Sequence, residues 1–265
     1  MVLAVEIDNS KINFGIFQSN GVLEANFGIA TNTTKTADEY AVLIDSVFNY
    51  YKVNRENIQG AVLSSVVPML TNVIYDLIKG FFKNIEVIQV QKGIKTGFSI
   101  KVDNPSELGA DLVANAVGVV EIQKRENKEK HPSLIVDIDT VSTIFALNDK
   151  NEFIGGSIFP GIEMSITSLH GKTAQLPNVT ILQPKKVIGK NSQESILSGV
   201  IFGTAIMIEG FVEKISREMH TDDINVFITG EYAEHIISLC SSKYRHIPNL
   251  TLFGLYYIYK NNANI

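Results

Sequence analysis

The stretch LAVEIDNS, residues 3–10, runs four mostly apolar residues into two carboxylates, Glu6 and Asp8, followed by the amide of Asn9 and the hydroxyl of Ser10. A near copy, LIVDIDTV, occupies residues 134–141, with Asp137, Asp139 and Thr140 in the corresponding places. An acid at the end of a strand can hold a metal ion or activate a nucleophile, and a tight turn whose amides point inward binds phosphate. The same residue types also suit plain β-turns, because Asp and Asn favour them. Repetition sets this pair apart: two such hairpins facing one another across a cleft would form a site for an anionic ligand. Glu6, Asp8, Asp137 and Asp139 would converge there as a carboxylate cluster suited to an oxygen-loving divalent cation.

The elements that must position these residues alternate along the chain. LAVEI reads as a strand, and the residues from Lys11 to Ala30 as two more joined at Asn20-Gly21. Thr36 and Glu39 have capping-box spacing ahead of a helix whose apolar stripe includes Tyr40, Ile44 and Phe48. A strand (GAVLSSVV), a helix opened by Pro68, a strand (IEVIQV) and a helix (ADLVANAVGVVEIQ) follow. The pattern then restarts with strands at 134–138, at 143–147 and through EFIGGSIFPG, and a helix from about 161. A long helix over QESILSGVIFGTAIMIEGFVEKISREM comes next, in which Gly199, Gly203 and Gly210 suggest close packing against a neighbour. The strand INVFITG and a closing helix, LFGLYYIYK, end the chain. Strand–helix alternation predicts α/β layers, and the restart near residue 118 predicts two halves of like design.

The 265 residues, 45% hydrophobic with net charge -5, suffice for one large domain or two small ones. Mild acidity argues against direct nucleic-acid contact, which needs a positive footprint. The basic run Lys124 to His131 alternates in sign and reads as a solvated loop. The one cysteine, Cys240, excludes an intrachain disulfide and a cysteine metal cluster, and its helical setting suggests a buried structural thiol. The first ten residues lack a basic signal-peptide region, and no apolar run looks long enough to cross a bilayer, so a cytoplasmic protein without membrane contact is expected.

Beyond these features, the ordered blocks NFGIF, TADEY, SSVVP, GIKTG, DNPSELGAD, GGSIFPGI, TAQLP, VIGKNSQESILSG and LTLFGL resemble the type III pantothenate kinase family, of the acetate kinase/Hsp70/actin-like superfamily, over almost the whole chain. The resemblance implies an α/β fold of two ribonuclease H-like (actin-like ATPase) domains with a central cleft, here expected at residues 1–117 and 118–265. It also implies transfer of the γ-phosphate of ATP to the hydroxyl of pantothenate, the first step of coenzyme A biosynthesis. A homodimer, Mg2+ with the ATP, and a monovalent cation (K+ or NH4+) complete the family pattern. Matched position by position, Asp111 stands at the general base, with Gly109 and Ala110 beside it in the pantothenate pocket. Thr173 matches a substrate contact contributed across the dimer. Glu6, Asn9, Ser10 and Thr140 match nucleotide contacts, and Asp137 the monovalent-cation aspartate. Asp111 also suits a helix N-terminal charge.

The chain departs from the family pattern within these blocks. The first hairpin reads Glu-Ile-Asp-Asn-Ser where the family has Asp-x-Gly-Asn-Thr, and the second reads Asp-Ile-Asp-Thr in place of Asp-Phe-Gly-Thr. Leu112 stands in place of an arginine, Val102 of a pocket tyrosine, and Glu231 of a glycine near the adenosine. Two like charges about 4 Å apart repel by roughly 1 kcal/mol in water and about 4 kcal/mol at an effective dielectric of 20. Aspartates in both hairpins are therefore expected to weaken nucleotide binding and turnover. A non-catalytic family member that binds a metabolite, or regulates through a partner, is the competing expectation.

Overall fold

Apolar alternation builds the first sheet outward from a buried central strand. The computed structural model describes residues 1–82, 84–127 and 130–263. Strand β1 (Val2–Ile7) pairs antiparallel with β2 (Lys11–Phe17), which pairs antiparallel with β3 (Leu23–Ala30). On its other side β1 runs parallel to β4 (Gly60–Ser65), and β4 parallel to β5 (Glu86–Gln89), giving the order β3-β2-β1-β4-β5. Period-two alternation sends Leu3, Val5 and Ile7 to one face and Val2 and Ala4 to the other. Helices α1 (Ala37–Tyr50) and α2 (Pro68–Phe81) cover the first face through Tyr40, Ile44, Phe48, Leu70 and Ile74. The expected capping box is present: Thr36 Oγ1 accepts from the Glu39 amide at 3.3 Å, and Glu39 Oε2 accepts from the Thr36 amide at 2.8 Å. Pro68 opens α2 at its first turn, where a missing N–H costs nothing.

The second face of this sheet carries α3 (Ala110–Arg125) and α8 (Leu250–Asn262). The two helices meet closely because Gly254 has no side chain; a Cβ there would lie 1.8 Å from the Ala114 carbonyl oxygen. Asn115 and Thr251 close a buried hydrogen bond between them at 3.0 Å.

The restart of the pattern yields a second sheet of the same design. Strands β7 (Ser133–Ile138), β8 (Val141–Leu147) and β9 (Glu152–Pro160) form an antiparallel meander, and β10 (Asn225–Thr229) and β11 (Arg245–His246) add in parallel beside β7. The order β11-β10-β7-β8-β9 repeats the first sheet, strand for strand, and the short β6 (Ser99–Ile100) extends it beyond β9. Helix α4 (Ile162–Lys172), a continuous helical run made of α5 (Ser192–Leu197), a π-helical turn (Ser198–Phe202) and α6 (Gly203–Glu218), and the short α7 (Ala233–Ile237) pack on it. Two ribonuclease H-like α/β units result, matching the expected fold class.

Several expectations need amending. Contacts divide the chain into one unit of Met1–Phe98, Asp103–Arg125 and Leu250–Ile265 and another of Ser99–Val102 and Glu126–Asn249. The boundary expected between residues 117 and 118 would cut through α3, and the C-terminal helix belongs to the first unit because its apolar face, including Leu252, Leu255 and Tyr256, completes that core. Gly199, Gly203 and Gly210 do not mark close packing within the chain: a Cβ at any of them meets nothing within 4 Å. The run Ser192–Glu218 is, by length and composition, apolar enough to cross a membrane, contrary to the expectation from sequence, and half of its most apolar window is buried in the second unit. Cys240 follows α7 rather than lying within it; it is half-buried, and burial pushes its thiol up to about 12, with the Glu209 charge adding to the effect. Within the expected charged loop, Lys128 and Glu129 lie outside the described residues.

Candidate active site

In the first unit, strand register places the acid at the end of β1 between two polar neighbours. Glu6 stands opposite Asn13 of β2 and Ser64 of β4. Asn13 Nδ2 donates to Glu6 Oε2 at 3.1 Å. Alternation turns Glu6 and Ser64 to the same face as Ala4 and Val62, the face that packs on α3 and α8. Ser64 is 1% exposed, and its hydroxyl has no hydrogen-bond partner among the described residues. A buried hydroxyl left without a partner is uncommon and costs about 1–3 kcal/mol. Sequence reasoning missed Ser64; the only signal was its place in a strand parallel to the acid-bearing one.

The turn between β1 and β2 is closed by its own side chains. The Asp8 amide donates to the Lys11 carbonyl at 2.9 Å, Ser10 Oγ donates to Asp8 Oδ2 at 3.4 Å, and Thr31 Oγ1 donates to the Asp8 carbonyl at 2.6 Å. Asn9 is exposed at the tip.

Asp111 lies in the first turn of α3 and is half-buried. Its Oδ1 is out of contact with solvent and has no hydrogen-bond partner among the described residues. Gly109 makes room for it, since a Cβ at that position would lie 2.3 Å from Oδ1. Burial raises the Asp111 pKa above its ordinary value; the Leu112 and Asp111 amides at the open helix end pull it down, and the negative charge of Asp8 adds to the rise. The first hairpin and the start of α3 thus share one electrostatic neighbourhood. A carboxyl held above its usual range, with the bare backbone of Gly109 against it, has the make-up of a proton acceptor.

The second unit repeats the central-strand arrangement. Asp137, at the end of β7, stands in register with Thr143 of β8 and Thr229 of β10, and all three are buried. Gly230 follows Thr229 at φ +101°, and a Cβ there would lie 2.5 Å from both Asp137 Oδ1 and the Ile138 carbonyl oxygen. A carboxylate flanked by two hydroxyls, beside a backbone that leaves it room, is a donor set suited to a hard cation. Among the described residues, no group of three or more His, Cys, Asp or Glu side chains that could hold a metal ion is found.

In the second hairpin Asp139 Oδ1 accepts from the Thr140 amide at 2.7 Å and from Thr140 Oγ1 at 3.5 Å. The loop is clamped from behind: the Gly161 amide donates to the Thr140 carbonyl at 3.2 Å, and a Cβ at Gly161 would sit 1.9 Å from the Asp139 carbonyl oxygen. Tyr232 donates its hydroxyl to Glu163 Oε2 at 3.0 Å, and its phenol is pushed well above the usual range by burial, by that hydrogen bond, and by the charges of Glu163, Glu231 and Asp139. Acids therefore gather at this end of the second unit.

Thr173 lies apart from that hairpin. It caps the far end of α4, where its Oγ1 donates to the Leu169 carbonyl at 2.7 Å and accepts from the Leu176 amide at 3.4 Å. Its exposure leaves it open to a neighbouring molecule. Val102 lies beside Gly155 of β9, Leu112 is half-buried on α3, and Glu231 is exposed.

Comparison with known proteins adds an independent result. A family model described as type III pantothenate kinase matches residues 2–214. A protein of Thermobifida fusca named type III pantothenate kinase is 32% identical over 265 residues, 99% of this chain and 100% of that one. One of the same name from Streptomyces coelicolor is 33% identical over 270 residues, covering 100% of this chain and 99% of the other. Among solved structures, the activator of the 2-hydroxyisocaproyl-CoA dehydratase from Clostridium difficile with bound ADPNP superposes with a TM-score of 0.54 at 12% identity, over 98% of this chain and 94% of its own; this similarity concerns the fold.

Proposed function

Because the chain belongs to the type III pantothenate kinase family, we propose that it transfers the γ-phosphate of ATP to the primary hydroxyl of pantothenate, opening coenzyme A biosynthesis. Asp111 accepts the hydroxyl proton as the oxygen attacks the γ-phosphorus. The new O–P bond forms while the bond from phosphorus to the bridging oxygen breaks, releasing ADP and 4'-phosphopantothenate. The observation that carries this assignment is the half-buried Asp111 carboxyl, raised in pKa and given room by Gly109. A base whose pKa is lifted towards the working pH transfers protons more effectively than an ordinary carboxylate, and such a group contributes about 10²–10⁴-fold to rate.

Glu6, fixed by Asn13, orients the metal-bound nucleotide, and Asn9, Ser10 and Thr140 contact its phosphates. Mg2+, when bound with the nucleotide, would neutralise the charge that develops on the transferred group. Asp137, in register with Thr143 and Thr229, would hold the monovalent cation. Gly109 and Ala110 line the pantothenate pocket, and Thr173 completes that of a second copy of the chain. The homodimer is supported by the outward face of the long helix, where Gly199, Gly203, Ile206 and Gly210 recur at helical spacing and Ile206 is 65% exposed. The same face accounts for the apolar character of that helix without a bilayer, in keeping with a cytoplasmic enzyme. Full-length similarity to relatives named as kinases does not favour the non-catalytic alternative. The acids in both hairpins lower nucleotide affinity rather than abolish it.

A coupled assay of ADP release tests the proposal. Release should depend on pantothenate and on Mg2+; ADP formation that is indifferent to pantothenate would defeat it.

A further inference from the structure

We propose that Asp139 is an internal anion seated in the second hairpin, and that it makes this chain select nucleoside polyphosphate charged with a divalent cation over the free anion. The hairpin offers an anion the Thr140 amide and the Thr140 hydroxyl. In the structure both point at Asp139 Oδ1, at 2.7 Å and 3.5 Å. Hydrogen bonds from a backbone amide to a carboxylate are charge-assisted and strong, so a phosphate oxygen must displace this one to gain the same donor. The loop is held from behind, where the Gly161 amide donates to the Thr140 carbonyl at 3.2 Å and the backbone passes so close that a Cβ at Gly161 would lie 1.9 Å from the Asp139 carbonyl oxygen. Glu163, which accepts from the Tyr232 hydroxyl at 3.0 Å, and Glu231, adjacent to Tyr232 in the chain, add negative charge around the phenol that also feels Asp139. The first hairpin repeats the arrangement more loosely, with Ser10 Oγ donating to Asp8 Oδ2 at 3.4 Å.

A bound divalent ion changes the balance. Carried in on the nucleotide, it would offset the phosphate charge, so a carboxylate that repels the free anion would no longer repel the metal complex. Asp139 thereby acts as a specificity-determining residue: it competes with phosphate for the Thr140 amide, and it penalises nucleotide arriving without its metal. The inference rests on the proposed function only for the identity of the hairpin's ligand.

Calorimetric titration of the full chain with ADP, with Mg2+ and with EDTA, tests it in three proteins. Asp139→Ala removes both the charge and the competing acceptor, whereas Asp139→Asn keeps an oxygen for the Thr140 amide and removes the charge. Wild-type protein should prefer Mg-ADP to free ADP by at least tenfold. Asp139→Ala should bind free ADP at least tenfold more tightly than wild type and lose most of that preference, with Asp139→Asn in between. Equal gains in the two variants would overturn seat occupancy, and no gain in Asp139→Ala, or a wild type indifferent to Mg2+, would overturn the inference. These outcomes are separable from the kinase proposal, because pantothenate-dependent turnover by wild type would stand even if Asp139→Ala changed no affinity.

Discussion

Replacing Asp111 by Asn should split activity from stability in opposite directions. Asp111 Oδ1 is buried without a partner among the described residues, and burial raises its pKa, so the ionised carboxylate is held against its preference. A buried group left unsatisfied costs about 1–3 kcal/mol, and more when charged. Its favourable interaction with the helix N-terminus returns about 0.3–1 kcal/mol. An amide of the same shape is neutral, so the variant should gain about 1 kcal/mol at neutral pH, a rise of roughly 2–4 °C in thermal midpoint. The gain must also depend on pH in one direction. With the folded pKa above the ordinary value of 3.8, the folded chain binds more protons than the unfolded one between those two values, so wild-type stability falls as pH rises through that window. The midpoint difference should therefore shrink as pH is lowered toward 3.8 and be fully developed above the raised pKa. Meanwhile kcat should fall by about 10²–10⁴-fold, the worth of a general base. Scanning fluorimetry across pH and initial rates on the same preparations measure both. A variant that melts below wild type at neutral pH, or keeps kcat within tenfold, would refute the reasoning.

Gly109→Ala places a Cβ 2.3 Å from Asp111 Oδ1 and must push the carboxylate aside, so kcat should fall roughly 10²-fold; steady-state rates decide it. Thr36→Ala removes the capping box of α1 and should cost about 0.5–2 kcal/mol in urea unfolding, with activity per folded molecule unchanged. With its thiol pushed up to about 12, Cys240 should resist thiol-directed reagents at pH 8 in the folded chain and react promptly in denaturant; rapid labelling of native protein would contradict this.

Much of the fold was legible in the chain because its signals are local and consistent. The capping box at Thr36 and Pro68 at the head of α2 reappear as expected, and the repeated acid-ended strands become the central strands β1 and β7. What escaped the sequence depends on distant partners. Residues 252–260 read plainly as a helix, yet nothing local says that Gly254 will lie on the Ala114 carbonyl and so draw α8 into the first unit. Strands as short as β6 and β11, with two residues each, carry no periodicity to detect. In the site, the hairpin acids were visible as types at a spacing, but their hydrogen bonds were not. That Asp139 turns back on the Thr140 amide, and that the Ser64 hydroxyl beside Glu6 has no hydrogen-bond partner among the described residues, emerge only when strand register is fixed. Glycine spacing does not say which neighbour is meant: Gly199, Gly203 and Gly210 recur as in a packed helix but face open space within the chain.

The central claim is that this chain phosphorylates pantothenate with Asp111 as the proton acceptor. Its most direct test is mass-spectrometric detection of 4'-phosphopantothenate after purified protein is incubated with pantothenate, ATP, Mg2+ and K+, with the Asp111→Asn variant run beside it. Product accumulating with wild type and reduced at least a hundredfold with the variant is the predicted result; no product from folded wild-type protein at millimolar substrates, or equal product from both, would contradict the account.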